Sequence, residues 1–500
     1  MDLQVTQGAI PRHRRDPDTR VAGGAIATPS RGRTRKPREA ATTPTRIRVL
    51  ALASAVLVVA LVVLLVVEVR RERAGFDVIG RQTAPVVTAS SDLYFALGDM
   101  DAQLANVLLV GNETDLGFTR DDALKIYHQR RQEVSQALQQ AAASADADPA
   151  AAKSVRDILD ALGSYETLAA QMILLDEQDS HPAGRPAAAT LAKYREATDL
   201  LKSTLLPAAQ GLIDRNSWIL ERTYQSQRSR TFTARTWIIV IGLAMLAALL
   251  LLQVYVARRF HRWLNPGLAA ATLIAAGLAI CGFVLTTNGA EYLRVAKKDS
   301  FDSVLALNQA RAVSYDANAD ESRYLLDPQR AGQYEKRFLD KTQQLVGLDG
   351  ATLSTYDKRL DTALRAYQAD NADIEWQGFY GKGFRNITFV GERGLAQQTI
   401  TTYQTYQVDD RRIRRLATSG DLRGAIAFCT SYNPGDSNYH FGEYDKALSA
   451  WTDLNEDWFK RSVNDGQRQL AGWTVIPVVA GVLILASLLL GLRRRLAEYH

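Results

Sequence analysis

Asp316, Asp320 and Arg323 stand four and three residues apart. On a helix those intervals bring all three side chains to one face. Two carboxylates and a guanidinium in that array can hold the two ends of a small zwitterion, or meet a partner protein of opposite pattern. Asp99 and Asp101 occupy the corresponding place in the first half of the chain. The plainer reading of such a stripe is a solvated helix face laced with weak ion pairs, and it is the commoner outcome. A second run interleaves Tyr403 and Tyr406 with Arg411, Arg412, Arg414 and Arg415. It could take a carboxylate ligand or an acidic partner surface, and here too a solvated helix is the plainer account.

Catalysis has no comparable foothold. His13, His128, His181, His261, His440 and His500 are scattered, and none is spaced with a second His or Cys as metal ligands would be. No phosphate-cradling glycine loop and no Gly-x-Ser-x-Gly occurs. Residues 378–384 are glycine-rich but lack the following Ser/Thr and the preceding strand of a phosphate loop, so they read as a loop between helices. The sequence predicts no enzyme, no metal, no cofactor and no nucleic-acid partner.

What must position the charged stripes is set by four apolar runs, 49–67, 238–256, 267–285 and 473–492. At ~1.5 Å per helical residue each can cross a hydrocarbon core of ~30 Å. Ionisable residues are absent from their centres, which disfavours a transport pathway. Gly267, Ala269, Ala270, Ala271, Ala275 and Gly277 in the third run suit close helix packing instead. Cys281 and Cys429 fall at different depths, so no disulfide is expected between them.

Charge orients the runs. Residues 1–48 carry +7, the turn 257–264 carries +3 and the end 493–500 carries +2, so the remainder of this +6 chain carries −6. Short basic segments stay cytoplasmic, whereas long domains translocate largely regardless of charge. Both termini and the middle turn are therefore expected inside a cell membrane. The first run should remain as an anchor, since 48 residues precede it and no small-residue cleavage site follows. Any cytoplasmic output would rest on Arg258, Arg259, Arg262, Arg493, Arg494 and Arg495.

The expectation is an all-α, multi-pass membrane protein with four transmembrane helices and two extracytoplasmic helical-bundle domains in a tandem repeat. Its parts are a disordered basic tail (1–48), a first span (49–67), a first bundle (68–237) and a second span (238–256). A cytoplasmic turn (257–266) leads to a third span (267–285), a second bundle (286–472), a fourth span (473–492) and a short tail (493–500). Apolar spacing predicts helices over 92–110, 121–143 and 150–176. A long helix follows from about 187, kinked or split by Pro207 near Leu206. In the second bundle helices are predicted over 291–327, 331–346, 352–380 and 440–469, with more inside an insertion at 395–428.

This plan resembles the actinobacterial amino-acid-sensing membrane proteins of the GlnX type. The matching stretches are 96–111, 204–209, 315–326 and 406–437, and the likeness runs from about residue 48 to 492. The resemblance implies a signal relay without catalytic residues of its own. A membrane-attached, glutamate/aspartate-binding lipoprotein would meet the outer domains, and a cytoplasmic Ser/Thr protein kinase of the PknG type would receive the output. The lipid bilayer and a second copy of the chain complete the expected partners. The alternative is an envelope scaffold that holds another membrane complex and senses no ligand.

Overall fold

A computed structural model describes residues 43–145, 148–260 and 265–496. Most of the tail expected to be disordered, and Arg262 of the turn, lie outside the described residues. Among the described residues there are helices and no strands. They are α1 (Thr43–Asp77), α2 (Ala84–Val110), α3 (Arg120–Ala145), α4 (Pro149–Gln178), α5 (Ala188–Leu200), α6 (Leu206–Phe260) and α7 (Pro266–Arg294). Then come α8 (Asp302–Leu326), α9 (Ala331–Leu345), α10 (Tyr356–Ala369), α11 (Gly378–Arg385), α12 (Glu392–Thr418), α13 (Leu422–Thr430), α14 (Ser437–Gln469) and α15 (Ile476–Leu496).

Several starts are written locally in the sequence. Asp148 caps α4 by accepting from the Ala150 N–H at 3.1 Å, with Pro149 in the first turn. Asn265 caps α7 in the same way, accepting from Gly267 at 3.2 Å, and its amide also donates to the Gly491 carbonyl at 2.8 Å. That second bond ties the start of α7 to the end of α15. The helices cross tightly there, since a Cβ at Gly267 would stand 2.8 Å from the Gly491 Cα.

Three pairs of helices are continuous. π-helical turns at Val78–Thr83, Leu201–Leu205 and Val295–Phe301 join α1 to α2, α5 to α6, and α7 to α8. Of the two outcomes expected at Pro207, a kink or a split, the split does not occur: helix continues through it. The wide turn before it, closed by the Leu206 N–H bonding the Leu201 carbonyl, accommodates a residue that has no N–H to offer. The glycine-rich stretch 378–384 is also not a loop but most of α11. Its Phe384 ring packs edge-on against Tyr367, Trp376 and Trp451 at 5.0, 5.1 and 5.5 Å, and that burial outweighs the poor helix propensity of glycine.

Four apolar segments form a stem. Within it α1 packs against α6 and α15, and α7 packs against the same two helices. Its core comprises Val58, Leu61 and Leu65 of α1, Met245 and Leu249 of α6, Ala271 and Ala275 of α7, and Ile484 of α15. Five helical stretches are long and apolar enough to cross a membrane: Thr45–Val110, Pro149–Gln178, Ala188–Arg258, Pro266–Leu326 and Ile476–Arg493. Several such helices mark a multi-pass membrane protein. The fifth, α4, was not among the runs expected from sequence. Its Val155, Ile158, Leu162, Tyr165 and Met172 are buried in the head, far along the chain from the stem.

Where helices leave the stem, Phe76, Ile79, Tyr224, Phe301 and Phe459 form a small core; beyond it the head has two large cores, which do not follow the two long segments. One joins α2 through α6 with Leu325, Leu326, Ile413, Ile426 and Phe428 from the second segment. Cys429 is buried in it, while Cys281 is exposed on the stem, so the two thiols are free as expected. The other core is aromatic and comes from α8 to α12 and α14, with Trp376, Tyr380, Tyr403, Tyr406, Tyr444 and Trp451 fully buried. The two long segments thus meet across a seam in which α2 packs along α8.

Candidate functional site

α2 is buried on nearly every side. A helix apolar all round belongs in an interior, so the carboxylates it carries must find partners there. Asp101, fully buried, accepts from the Arg323 guanidinium of α8 at 2.8 Å across the seam. It also accepts from the Tyr165 hydroxyl at 3.1 Å and the Thr198 hydroxyl at 2.9 Å. Tyr194 bridges the two charges: its hydroxyl faces Asp101 at 3.4 Å and accepts from Arg323 Nε at 3.1 Å.

Arg323 turns its other nitrogen to its own helix, donating to Asp316 at 3.1 Å and Asp320 at 2.6 Å. Two lysines complete the group. Lys202, from the π turn before α6, donates to Asp320 at 3.0 Å. Lys341 of α9 pairs with Asp316 at 2.6 Å and also with Asp320. Three carboxylates, Asp101, Asp316 and Asp320, thus face three cations, Arg323, Lys202 and Lys341, and the cluster is formally neutral.

The acid–base stripe is therefore not a solvated face. Burial would raise the Asp316 and Asp320 carboxyls, but Lys341, Lys202 and Arg323 outweigh it and hold both below their ordinary range. Burial, with Arg323 beside it, brings the Lys202 ammonium down to about 8. Buried ion pairs like these are weak sources of stability, because desolvation offsets attraction. Their stronger effect is on register. Sliding α8 along α2 would part Arg323 from Asp101 and leave both charges buried without this partner.

Further pairs lace the seam. Arg195 donates to Asp327 at 2.8 Å, Arg330 to Asp199 at 2.9 Å, and Ser322 to Asn106 at 2.9 Å. Asp99 lies on another face of α2 from Asp101. It is buried, accepts from Arg130 at 2.6 Å and Gln103 at 2.8 Å, and stays within the first segment. Along the seam toward the stem the helices part around a cavity of about 360 Å³. Ser91 and Tyr94 of α2, Gln210 of α6, Gln309 of α8, Gln344 of α9 and Phe379 of α11 line it, and no charged side chain does.

The aromatic–basic run divides. Tyr403 and Tyr406 point into the aromatic core, whereas Arg411 pairs with Asp357 at 2.7 Å and Arg412 lies 4.0 Å over the Phe428 ring. Neither arginine reaches the seam cluster. At the far end of the stem Arg258 and Arg493 are exposed. The side chains of Arg259, Arg494 and Arg495, like the whole of Arg262, lie outside the described residues. No local spacing marks Lys202, Lys341, Tyr165 or Tyr194 as members of the cluster. The signal available was Asp101 itself, a carboxylate set in a stretch running from Leu93 to Val110 with too few polar positions to be a surface helix.

Residues 75–225 match the family model described as the actinobacterial sensor domain. The matched stretch starts at the end of α1 and extends into α6, so it supplies Asp101, Tyr165, Tyr194, Thr198 and Lys202 to the cluster. It points to a sensing or signalling role for a membrane protein of actinobacterial type. No curated protein and no solved structure matches the chain.

Proposed function

We propose, with the sensor-domain match as premise, that this chain is a four-span transmembrane signal transducer. It would report amino-acid availability outside the cell to a protein inside it. One observation carries the transduction reading: the helices that meet at the charged seam continue into the stem. Helical stretches Thr45–Val110, Ala188–Arg258 and Pro266–Leu326 each contribute to the seam and each contain an apolar run. A displacement of ~1–2 Å between α2 and α8, typical of helix shifts at interfaces, would reach the stem along unbroken helices.

The surroundings of α4 favour four spans over five. Exposed large apolar side chains crowd the four stem segments, as at Leu52, Leu243, Leu273 and Leu489, whereas α4 exposes only Leu159 and Leu174. The basic ends of the chain favour an orientation with both termini cytoplasmic. The amino-acid signal and the kinase output rest on the resemblance to GlnX-type proteins. The uncharged lining of the seam cavity fits glutamate or aspartate being sensed through a binding lipoprotein, since an amino-acid carboxylate there would lack a cationic partner. On that resemblance, the output would pass to a separate Ser/Thr kinase.

Affinity capture of the full chain from membranes, with and without glutamate or aspartate, tests the reading. A periplasmic-side amino-acid-binding protein and a kinase should co-purify, and at least one should change its occupancy when amino acid is added. Partners that bind indifferently to amino acid would replace the relay with the scaffold reading.

A further inference from the structure

The α6–α7 groove at the head end of the stem gathers three arginines, and the buried Glu72 carboxylate of α1 lies within electrostatic reach of one of them, Arg235. A cavity of about 430 Å³ opens there, lined by Arg228, Arg235 and Arg294 together with Thr231, Asn288 and Glu291. Arg294 is paired with Glu291 at 2.8 Å and with Asp299 at 2.8 Å. Among the described residues Arg228 and Arg235 have no ion-pair partner. Arg235 reaches the Thr286 carbonyl at 3.4 Å, and its Nε is buried without a hydrogen-bond partner. An unfilled guanidinium N–H at the edge of a cavity is costly to leave dry.

Immediately below, the same groove turns apolar. Arg228, Phe232, Arg235 and Ile239 follow one face of α6 at helical intervals, and Leu243 continues it. Phe232 is 69 % exposed and Leu243 63 %. On α7 the antiparallel face runs from Arg294 and Glu291 through Thr287 to Val284 and Ile280, the last 63 % exposed. Guanidiniums above, the Phe232 ring at the boundary and bare aliphatic side chains beneath follow the layers of a phospholipid from its headgroup down. Membrane topology does not account for the arginines. In the orientation favoured by the basic chain ends they lie on the outer side, where a positive cluster has no orienting role.

We infer that this groove is a binding site for the phosphodiester headgroup of an anionic phospholipid, held by Arg228 and Arg235 with its acyl chains along α6 and α7. A planar guanidinium pairs with phosphate oxygens through two parallel N–H donors, which lysine cannot reproduce. The site joins α6 of the first half to α7 of the second, one turn before the π turn at Val295–Phe301. A bound lipid would fix the distance between them. The inference rests on α6 and α7 crossing the membrane and is independent of any amino-acid signal.

The test uses the full chain in a neutral detergent, titrated with dihexanoyl phosphatidylglycerol, dihexanoyl phosphatidylcholine or inorganic phosphate below the lipid micellar range. Binding is read by native mass spectrometry and by thermal melting. Phosphatidylglycerol should bind with at least about tenfold preference over phosphatidylcholine, and Arg228→Gln with Arg235→Gln should lower its affinity by about tenfold or more. Arg228→Gln alone removes an exposed side chain with no ion pair, so it keeps the fold if the double variant does not. It should still weaken binding severalfold, and Arg228→Lys should restore it only in part. Equal binding of the two lipids, unchanged binding by Arg228→Gln, or inorganic phosphate binding as tightly as the lipid would each overturn the lipid site.

Discussion

The first and second halves of the chain enter the head in the same way and leave it differently. Each begins with an apolar segment that runs on through a π turn into a seam helix: α1 to α2, and α7 to α8. The π turns start ten or eleven residues past the apolar runs in both halves, an internal match clearer than the residue identities. On the way back the first half stays helical from α5 through α6, whereas the second breaks between α14 and α15 over residues 470–475. Gly472 supplies the break, with φ at +80°. Three rods therefore couple head to stem, and the fourth connection is a joint. A motion at the seam would be transmitted by the rods and absorbed at the joint.

The largest effect is expected where the halves are locked together. Arg323→Met leaves Asp101, Asp316 and Asp320 facing only two lysines in a sealed interior. It should destabilise the head by about 3–5 kcal/mol, read by thermal or denaturant unfolding of the full chain. A loss under about 1 kcal/mol would mean that the cluster does not hold the halves in register. Next comes the joint. Gly472→Ala puts a Cβ on a left-handed residue and should cost about 1–2 kcal/mol. A neutral outcome would show that the break relaxes readily into helix, and the contrast between the two exits would lose its meaning.

A smaller effect separates the halves by pH. In the first half, both ring nitrogens of buried His181 face acceptors, Asp176 at 2.9 Å and the Pro182 carbonyl at 2.9 Å. The bond to Asp176 raises the imidazole pKa, against the effect of burial. The sign follows from the raised folded value. The stability this pair supplies is complete below the unfolded pKa of about 6.5 and is lost as pH rises through the folded pKa. Comparing His181→Gln with the unmodified chain, the gap in melting temperature should be widest near pH 6 and should close as pH rises. A gap that stays constant would remove the charged imidazole from the account. The smallest effect belongs to Arg411→Ala on the outer face of the second half. Its pair with Asp357 is partly exposed, so unfolding should shift by no more than about 1 kcal/mol.

Much of the stem was legible in sequence, because a run of about 20 apolar residues has few other uses. Helix starts were legible too wherever a side chain wrote them, as at Asp148 and Asn265. The π turns were not. A π turn takes ordinary helix-forming residues, and only Pro207 hinted that the ladder must adjust. The seam cluster was half legible. The spacing of Asp316, Asp320 and Arg323 placed them on one face, but spacing alone does not say whether a face meets water or another helix. Their partner Asp101 lies 222 residues away from Arg323, beyond the reach of any local pattern. Helix α4 shows the converse: apolar enough by composition to cross a membrane, it is buried among its neighbours in the head.

If the rods couple head to stem, the state of the seam is felt where α6 meets α7. Gly242 of α6 and Ala279 of α7 approach closely there, a Cβ at Gly242 standing 3.1 Å from that of Ala279. Cysteines at these two positions, in a chain whose Cys281 and Cys429 are replaced, would report helix approach through their rate of disulfide formation in membranes. Asp101→Asn, which unbalances the seam without emptying it, should change that rate severalfold. An unchanged rate, with the head still folded, would contradict the coupling of head to stem.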